Sequence, residues 1–250
     1  DMRILAAFIL FTRLPFWRIT SVPGDYFKNV VSGWAMTGWL TAGISAAVLY
    51  SSALVFPVSV AILLAIISRL LITGCLHEDG LADFFDGFGG GSDKQKILSI
   101  MKDSHIGTYG VVGLVFYFLM LYTLLSSLPL DLAGCAILTA DPFAKGVSSM
   151  IINRLPYARK EEDSKAKVVY SRMTPGEYLF SVVCGLFPLV WLPEIHYLWA
   201  TFPVLLCWYF LTSFMKKKIG GYTGDCCGAL TLLCELSFYM GIVLVYSVTH

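Results

Sequence analysis

Apolar runs, broken by prolines and by short clusters of charge, set the plan of this chain. Ile4 to Phe11 is a brief run closed by Arg13, Pro15 and Arg18. It is too short to span a bilayer and has no small-residue cleavage site, so it predicts an interfacial or re-entrant helix rather than a signal peptide. From Val30 to about Phe56 the chain is rich in Gly, Ala and Ser, and Gly38 with Ala42 forms the small-x-x-x-small step of closely packed helices. Pro57 breaks that segment, and Val58 to about Leu76 predicts a second span carrying Arg69. Further spans are predicted over Ile106 to Leu128, Ala133 to Asn153, Tyr178 to about Leu192, Tyr197 to Met215 and about Gly228 to Val248. The fold class is therefore all-α: a polytopic transmembrane helical bundle of about seven spans plus the amino-terminal helix, with no internal repeat.

Composition agrees with the pattern. Hydrophobic residues make up 57% of the 250 and charged residues only 14%, outside the range of soluble globular chains. The net charge of +1 and the lack of a dense basic stripe exclude a nucleic-acid partner. Seven cysteines lie in apolar stretches without a C-x-x-C pair, which reads as buried small hydrophobes rather than a zinc site or disulfide framework. The 18 Lys and Arg fall in the amino-terminal arm, after span two, around the end of span four and the loop after it, and after span six; Arg3 and Arg69 lie nearest those same ends. The opposite loops near Pro57, Pro129 and Pro193 contain none, so the basic side is predicted to face the cytoplasm. That prediction brings residues 77–110, 154–172 and 216–228 to one side of the membrane.

The candidate chemistry starts where span two ends, at His77-Glu78-Asp79-Gly80-Leu81-Ala82-Asp83-Phe84-Phe85-Asp86-Gly87. If these residues are helical, Asp79, Asp83 and Asp86 fall on one face, where like charges repel unless a cation joins them. Mg2+ takes oxygen ligands and shares them with substrate phosphates, so the stripe predicts a holder for a metal-diphosphate; a solvated acidic helix face is the competing reading. Gly220-Gly221-Tyr222-Thr223-Gly224-Asp225 offers glycines that let backbone amides approach an anion. Asp225 there either adds a carboxylate to the metal or caps span seven. Asp141 and Lys145, four apart inside span four, form a mutually neutralising pair from which Lys145 can also reach a ligand. Arg69 reads as a snorkelling or paired structural arginine or a phosphate holder, and Glu235 as the partner of a basic residue or as a lining of the polar cavity.

Several of these stretches together resemble the cobalamin synthase family, the adenosylcobinamide-GDP ribazoletransferases of bacterial and archaeal inner membranes. The resemblance rests on Thr12-Arg13-Leu14-Pro15, Leu76 through Asp83 with Asp86-Gly87, Ile100-Met101-Lys102-Asp103-Ser104 with Ile106-Gly107, Pro156-Tyr157-Ala158-Arg159, and Gly220 through Asp225 with Gly228-Ala229. It implies that residues 1–250 form a single integral-membrane catalytic domain, multi-pass in the cell inner membrane, with the active site facing the cytoplasm. The implied reaction is a Mg2+-dependent transfer in cobalamin biosynthesis. A hydroxyl of alpha-ribazole, or of its 5'-phosphate, attacks the phosphorus bonded to the cobinamide side chain of adenosylcobinamide-GDP, and GMP leaves. It assigns Asp79, Asp83, Asp86 and Asp225 to metal, with Asp225, Asp86 and Asp103 as the catalytic carboxylates and Asp103 the rival of Asp225 for the hydroxyl proton. Lys102, Lys145 and Arg159 are expected on phosphate oxygens, and Gly221, Thr223 and Gly224 against substrate. Implied partners are the two substrates and the lipid bilayer, with a second copy of the chain or other corrinoid-pathway enzymes as further candidates.

The chain departs from the family pattern in four places. Glu78 stands for leucine, Lys145 and His105 for arginine, and Lys160-Glu161-Glu162-Asp163-Ser164-Lys165 for a Gly-Leu-Gly run. Rival readings fit less well. A CDP-alcohol phosphotransferase needs an arginine where Phe84 and Phe85 stand and a second D-x-x-x-D, and a prenyltransferase also lacks its second acidic motif here. A carboxylate-lined cation transporter favours acids near mid-bilayer in two symmetric halves, whereas these cluster at one side without a repeat.

Overall fold

Most helices begin where the sequence supplies a stop for the preceding chain or a partner for orphan amides. In the computed structural model, which describes residues 1–159 and 169–250, the first helix, α1 (Met2–Phe11), starts at Asp1, whose carboxylate accepts from the Arg3 N–H at 3.0 Å. Short 3-10 turns, the longer over Gly24–Gly33, lead into α2 (Trp34–Ala53). Pro57 precedes α3 (Val58–Thr73), and Gly74 (φ +63°) and Cys75 (φ +58°), both left-handed, turn the chain through 90° into α4 (Leu76–Gly90). The Asp93 carboxylate accepts from the Lys96 N–H at the start of α5 (Lys94–Lys102). Then come α6 (Thr108–Ser126), α7 (Leu130–Ser149) after Pro129, and the single turn α8 (Ile151–Arg154). A Thr174/Glu177 capping box opens α9 (Pro175–Leu186). Helix α10 (Thr201–Ile219) ends at the left-handed Gly220, and Thr223 caps α11 (Gly224–Thr249) by accepting from the Cys226 N–H at 3.2 Å.

Among the described residues there is no strand, only an isolated bridge between Tyr157 and Tyr222. The all-helical class therefore holds. Among the described residues four segments are long and apolar enough to cross a membrane: Thr108–Ser126, Leu130–Arg154, Ile195–Ile219 and Gly224–Thr249; α3 with α4 makes a fifth if the bent pair counts as one. That is fewer than the seven expected from the apolar runs, and two helices carry the difference. Helix α2 buries Thr37, Gly38, Thr41, Ala42 and Ser45 against its neighbours, so its small and hydroxylic residues serve packing and lower its apolarity. Helix α9 is only 12 residues long, and its 3-10 extension ends at Trp191.

Burial identifies the centre. The spanning windows of α7 and α11 are 83% and 61% buried, against 22% for α6 and α10. Helices α7 and α11 are thus the shared axis of the bundle; α2 packs along α7 and α4 along α11, while α6 and α10 turn apolar side chains outward. Most of the charged residues inside this core are paired. Arg69 of α3 donates to Glu235 of α11 and to the Tyr117 hydroxyl (2.8 Å), and lies 3.7 Å from Glu78. The Tyr239 hydroxyl also donates to Glu235, at 2.9 Å. Lys145 meets Asp141 at 2.7 Å, and Thr41 of α2 bonds both. These are ion pairs closed on themselves, so Lys145, expected on a phosphate, is committed to the bundle interior.

Candidate functional site

The site forms where α4 crosses the start of α11, and a glycine on each helix sets the approach. A Cβ on Gly80 would stand 3.0 Å from the Asp225 carbonyl oxygen, and one on Gly228 3.1 Å from that of His77. With hydrogens there instead, the two backbones come together, and Asp79, next to Gly80, and Asp225, one turn before Gly228, border one cavity of about 310 Å3. A third segment is stitched to this crossing. The Ala158 N–H donates to the Tyr222 carbonyl (2.8 Å) and the Tyr222 N–H to that of Pro156 (3.0 Å), forming the bridge that holds residues 156–158 against 220–223. Arg159, the next residue, is thereby brought into the cavity wall, with Nη2 3.6 Å from the Asp225 carboxylate and donating to the Leu98 carbonyl at 3.2 Å. Its side chain is only 4% exposed, and its buried Nε has no hydrogen-bond partner among the described residues. A guanidinium at the wall of a cavity has the chemistry of an anion holder.

Of the residues singled out in the sequence, Asp79, Asp225, Arg159 and Gly224 line this cavity. The others lie elsewhere. Asp83 is buried one turn further along α4 and does not border the cavity. Asp86, two turns from Asp79, accepts from the Gly107 N–H (2.7 Å) and the Gly110 N–H (2.8 Å) with its two carboxylate oxygens. It anchors the free amides at the start of α6, a structural role for an acid at this position. Replacing Asp86 with Ala is expected to lower the stability of the protein by about 2–3 kcal/mol, with amide exchange accelerating first in residues 107–112; unchanged exchange there would remove the anchoring role.

Asp103 lies at the exposed end of α5, outside the cavity, where the His105 ring Nδ1 (2.7 Å) and the His105 backbone N–H (3.0 Å) both bond its carboxylate. Those bonds hold its carboxyl below the usual carboxylate range, which suits it poorly to receive a proton. Lys102 is exposed at the last residue of α5, outside the cavity lining. Gly221 is required by packing: a Cβ there would stand 2.2 Å from the Pro156 carbonyl oxygen. Thr223 is fully buried as the cap of α11, so its hydroxyl serves the helix rather than a substrate. Residues 160–165, where the chain departs from the family pattern, lie outside the described residues.

The cavity also has walls to which no role fell in the sequence, among them Phe11, Trp34, Tyr157 and Tyr170. Tyr157 stands in one of the recognised motifs, but nothing in the spacing of Phe11 or Trp34 ties the amino-terminal arm to α4; only the folded chain does.

The class this defines is an integral-membrane, all-helical protein that presents carboxylates and a buried arginine in a nucleoside-sized cavity at one end of its bundle. The model of the cobalamin-5-phosphate synthase family matches residues 3–243. A protein of Shewanella sp. (strain W3-18-1) named adenosylcobinamide-GDP ribazoletransferase is 34% identical over 247 residues, 98% of this chain and 94% of that one. A protein of the same name from Leptospira interrogans (serogroup Icterohaemorrhagiae, serovar copenhageni, strain Fiocruz L1-130) is 32% identical, covering 98% and 96% of the two chains, and one from Shewanella amazonensis is 35% identical, covering 97% and 95%. No solved structure matches the chain. The chain belongs to the cobalamin-5-phosphate synthase family and is an enzyme, a transferase of cobalamin biosynthesis.

Proposed function

We propose that the enzyme joins adenosylcobinamide-GDP to alpha-ribazole or its 5'-phosphate and releases GMP, using the cavity at the α4–α11 crossing as its active site. The observation that supports this reading is the convergence of Asp79, Asp225 and Arg159, from three distant stretches, on one cavity. In the step itself, the oxygen of a ribose hydroxyl forms a bond to the phosphorus carrying the cobinamide side chain, and the bond from that phosphorus to the GMP oxygen breaks. Arg159 holds phosphate oxygens through donors that Leu98 and Asp225 leave over. Asp225 receives the hydroxyl proton.

Among the described residues no group of three or more His, Cys, Asp or Glu side chains stands close enough to hold a metal ion by itself. Two carboxylates bordering one cavity nevertheless fit Mg2+ in its usual mode, with one or two protein oxygens and the rest from substrate phosphates and water. Asp79 and Asp225 would hold it, and when bound it would neutralise charge on the diphosphate and on the departing GMP.

We further place this site at the cytoplasmic face of the inner membrane, because the basic segments gather on its side of the bundle. A seven-pass path follows if α2 and the α9 segment cross the membrane together with the five candidate spans. The reaction is tested by reconstituting the full chain in liposomes with adenosylcobinamide-GDP, alpha-ribazole and Mg2+. Corrinoid product and GMP in equal amounts, lost on chelation, are expected; cation flux without product would replace the reading with a transporter.

A further inference from the structure

His77 borders a second chamber besides the large cavity, a small one of about 10 Å3 between α3, α4, α7 and α11. Part of its lining is charged, Arg69 with Glu235 and Lys145 with Asp141, and these pairs are closed on each other. Three polar atoms of the other lining residues have no hydrogen-bond partner among the described residues: His77 Nδ1, Glu78 Oε2 and Thr231 Oγ1. All three side chains are shut off from solvent, His77 and Glu78 being 4% exposed and Thr231 1%.

A buried polar atom without a partner is costly, and three around one chamber call for a partner that they share. The protons decide its chemistry. An indole N–H can only donate, so His77 Nε2, 3.3 Å from Trp34 Nε1, is the bare nitrogen of the ring and Nδ1 carries the hydrogen. The chamber therefore presents a fixed donor from His77, a carboxylate acceptor from Glu78 and a hydroxyl that can serve as either. A cation would meet the His77 N–H hydrogen, and an anion would meet the Glu78 carboxylate. A water molecule satisfies all three: it accepts from Nδ1–H, donates to Oε2 and makes its third bond with Oγ1. Three bonds are usual for a buried water, and about 10 Å3 is room for one.

We infer that this chamber is a binding site for a single ordered water molecule that fastens the first turn of α4 to α11, with Thr231 as a positioning residue for Asp79. His77 and Glu78 immediately precede Asp79 in the chain, so the water holds the turn from which that carboxylate enters the large cavity. Glu78, which stands where the family pattern has leucine, supplies the acceptor, and this makes the site a feature of this chain. The positioning role rests on the proposed reaction for what Asp79 does; the water site does not.

The direct test is a crystal structure of the full chain, grown in lipid, at a resolution that shows ordered water. One density peak within hydrogen-bond reach of His77 Nδ1, Glu78 Oε2 and Thr231 Oγ1 is expected, and replacing the monovalent cations of the crystal with Tl+ should give it no anomalous signal. A Tl+ signal there would make it a cation site, and side chains turned so that Nδ1–H meets Oε2 directly would leave the chamber dry; either result overturns the inference. Thr231→Val keeps the shape of the side chain and removes its hydroxyl. It is expected to remove the peak and to lower kcat for GMP release about fivefold with KM for both substrates within about twofold, while Thr231→Ser recovers most of the loss. Unchanged kcat in Thr231→Val, or a loss that Thr231→Ser does not recover, would overturn the positioning role. Should Thr231→Val fail to fold, Thr231→Ala compared with Thr231→Ser decides in the same way. If the unmodified protein forms no product, the proposed reaction and the positioning role fail together, and the density alone decides the water site.

Discussion

Asp79→Asn is expected to cut corrinoid product formation by a factor on the order of 10^3 while leaving the thermal unfolding of the protein unchanged. The size follows from what the carboxylate is asked to do. Neutralising a diphosphate in a water-poor cavity contributes several kcal/mol to the transition state, and each 1.4 kcal/mol is about tenfold in rate. An amide keeps the shape and one acceptor oxygen but removes the charge, so the loss falls on turnover. Stability is spared because Asp79, unlike Asp86, is exposed at the cavity and is not an anchor for another helix. The measurement is GMP release by liposome-reconstituted protein across a Mg2+ series. Turnover within tenfold of the unmodified enzyme would remove Asp79 from the metal, and recovery at high Mg2+ would show that the defect is in holding the ion.

The second large effect is structural. Arg69→Met is expected to destabilise the fold by about 3–5 kcal/mol, because it deletes one member of a buried ionic set and strands the others. Glu235 is 1% exposed and Glu78 4%, and both depend on the same guanidinium. The Tyr239 hydroxyl would remain as a donor to Glu235, but the guanidinium paired with it would be gone. Yield of monodisperse protein in mild detergent and its midpoint of thermal unfolding report the loss. Adding Glu235→Gln to Arg69→Met is expected to restore part of it, since an amide tolerates burial that an unpaired carboxylate does not. A single Arg69→Met protein as stable as the parent would show that the pairing is incidental.

The fold class was legible because membrane helices announce themselves by apolar length. The cap of α11 was placed two residues late, since Thr223 and not Asp225 accepts from the first free amides. The span count was less legible. Helix α2 reads as a span from its apolar run, but the Gly, Ser and Thr that make it a good neighbour for α7 dilute its apolarity. The site was half legible. Asp79, Asp225 and Arg159 could be picked out because charge at a membrane protein's edge is rare and stands in recognisable motifs. Asp83 and Asp86 could not be separated from Asp79, since helical spacing gives all three one face and says nothing of what packs on it. What decides is that the start of α6 arrives over Asp86 with its amides unsatisfied. Gly221 and Thr223 were misread for a related reason: a glycine-rich loop looks alike whether it admits a phosphate or a neighbouring strand of backbone, and here Pro156 occupies the space.

The left-handed pair Gly74 and Cys75 also fixes where the exposed carboxylate of α4 stands. The 90° turn they make sends α4 away from the direction of α3, so Asp79, in the first turn of α4, is held just beyond the bend. A side chain at Gly74 would both strain the backbone and meet the Arg13 side chain at 1.9 Å, so a change there would move a cavity-lining acid without touching it.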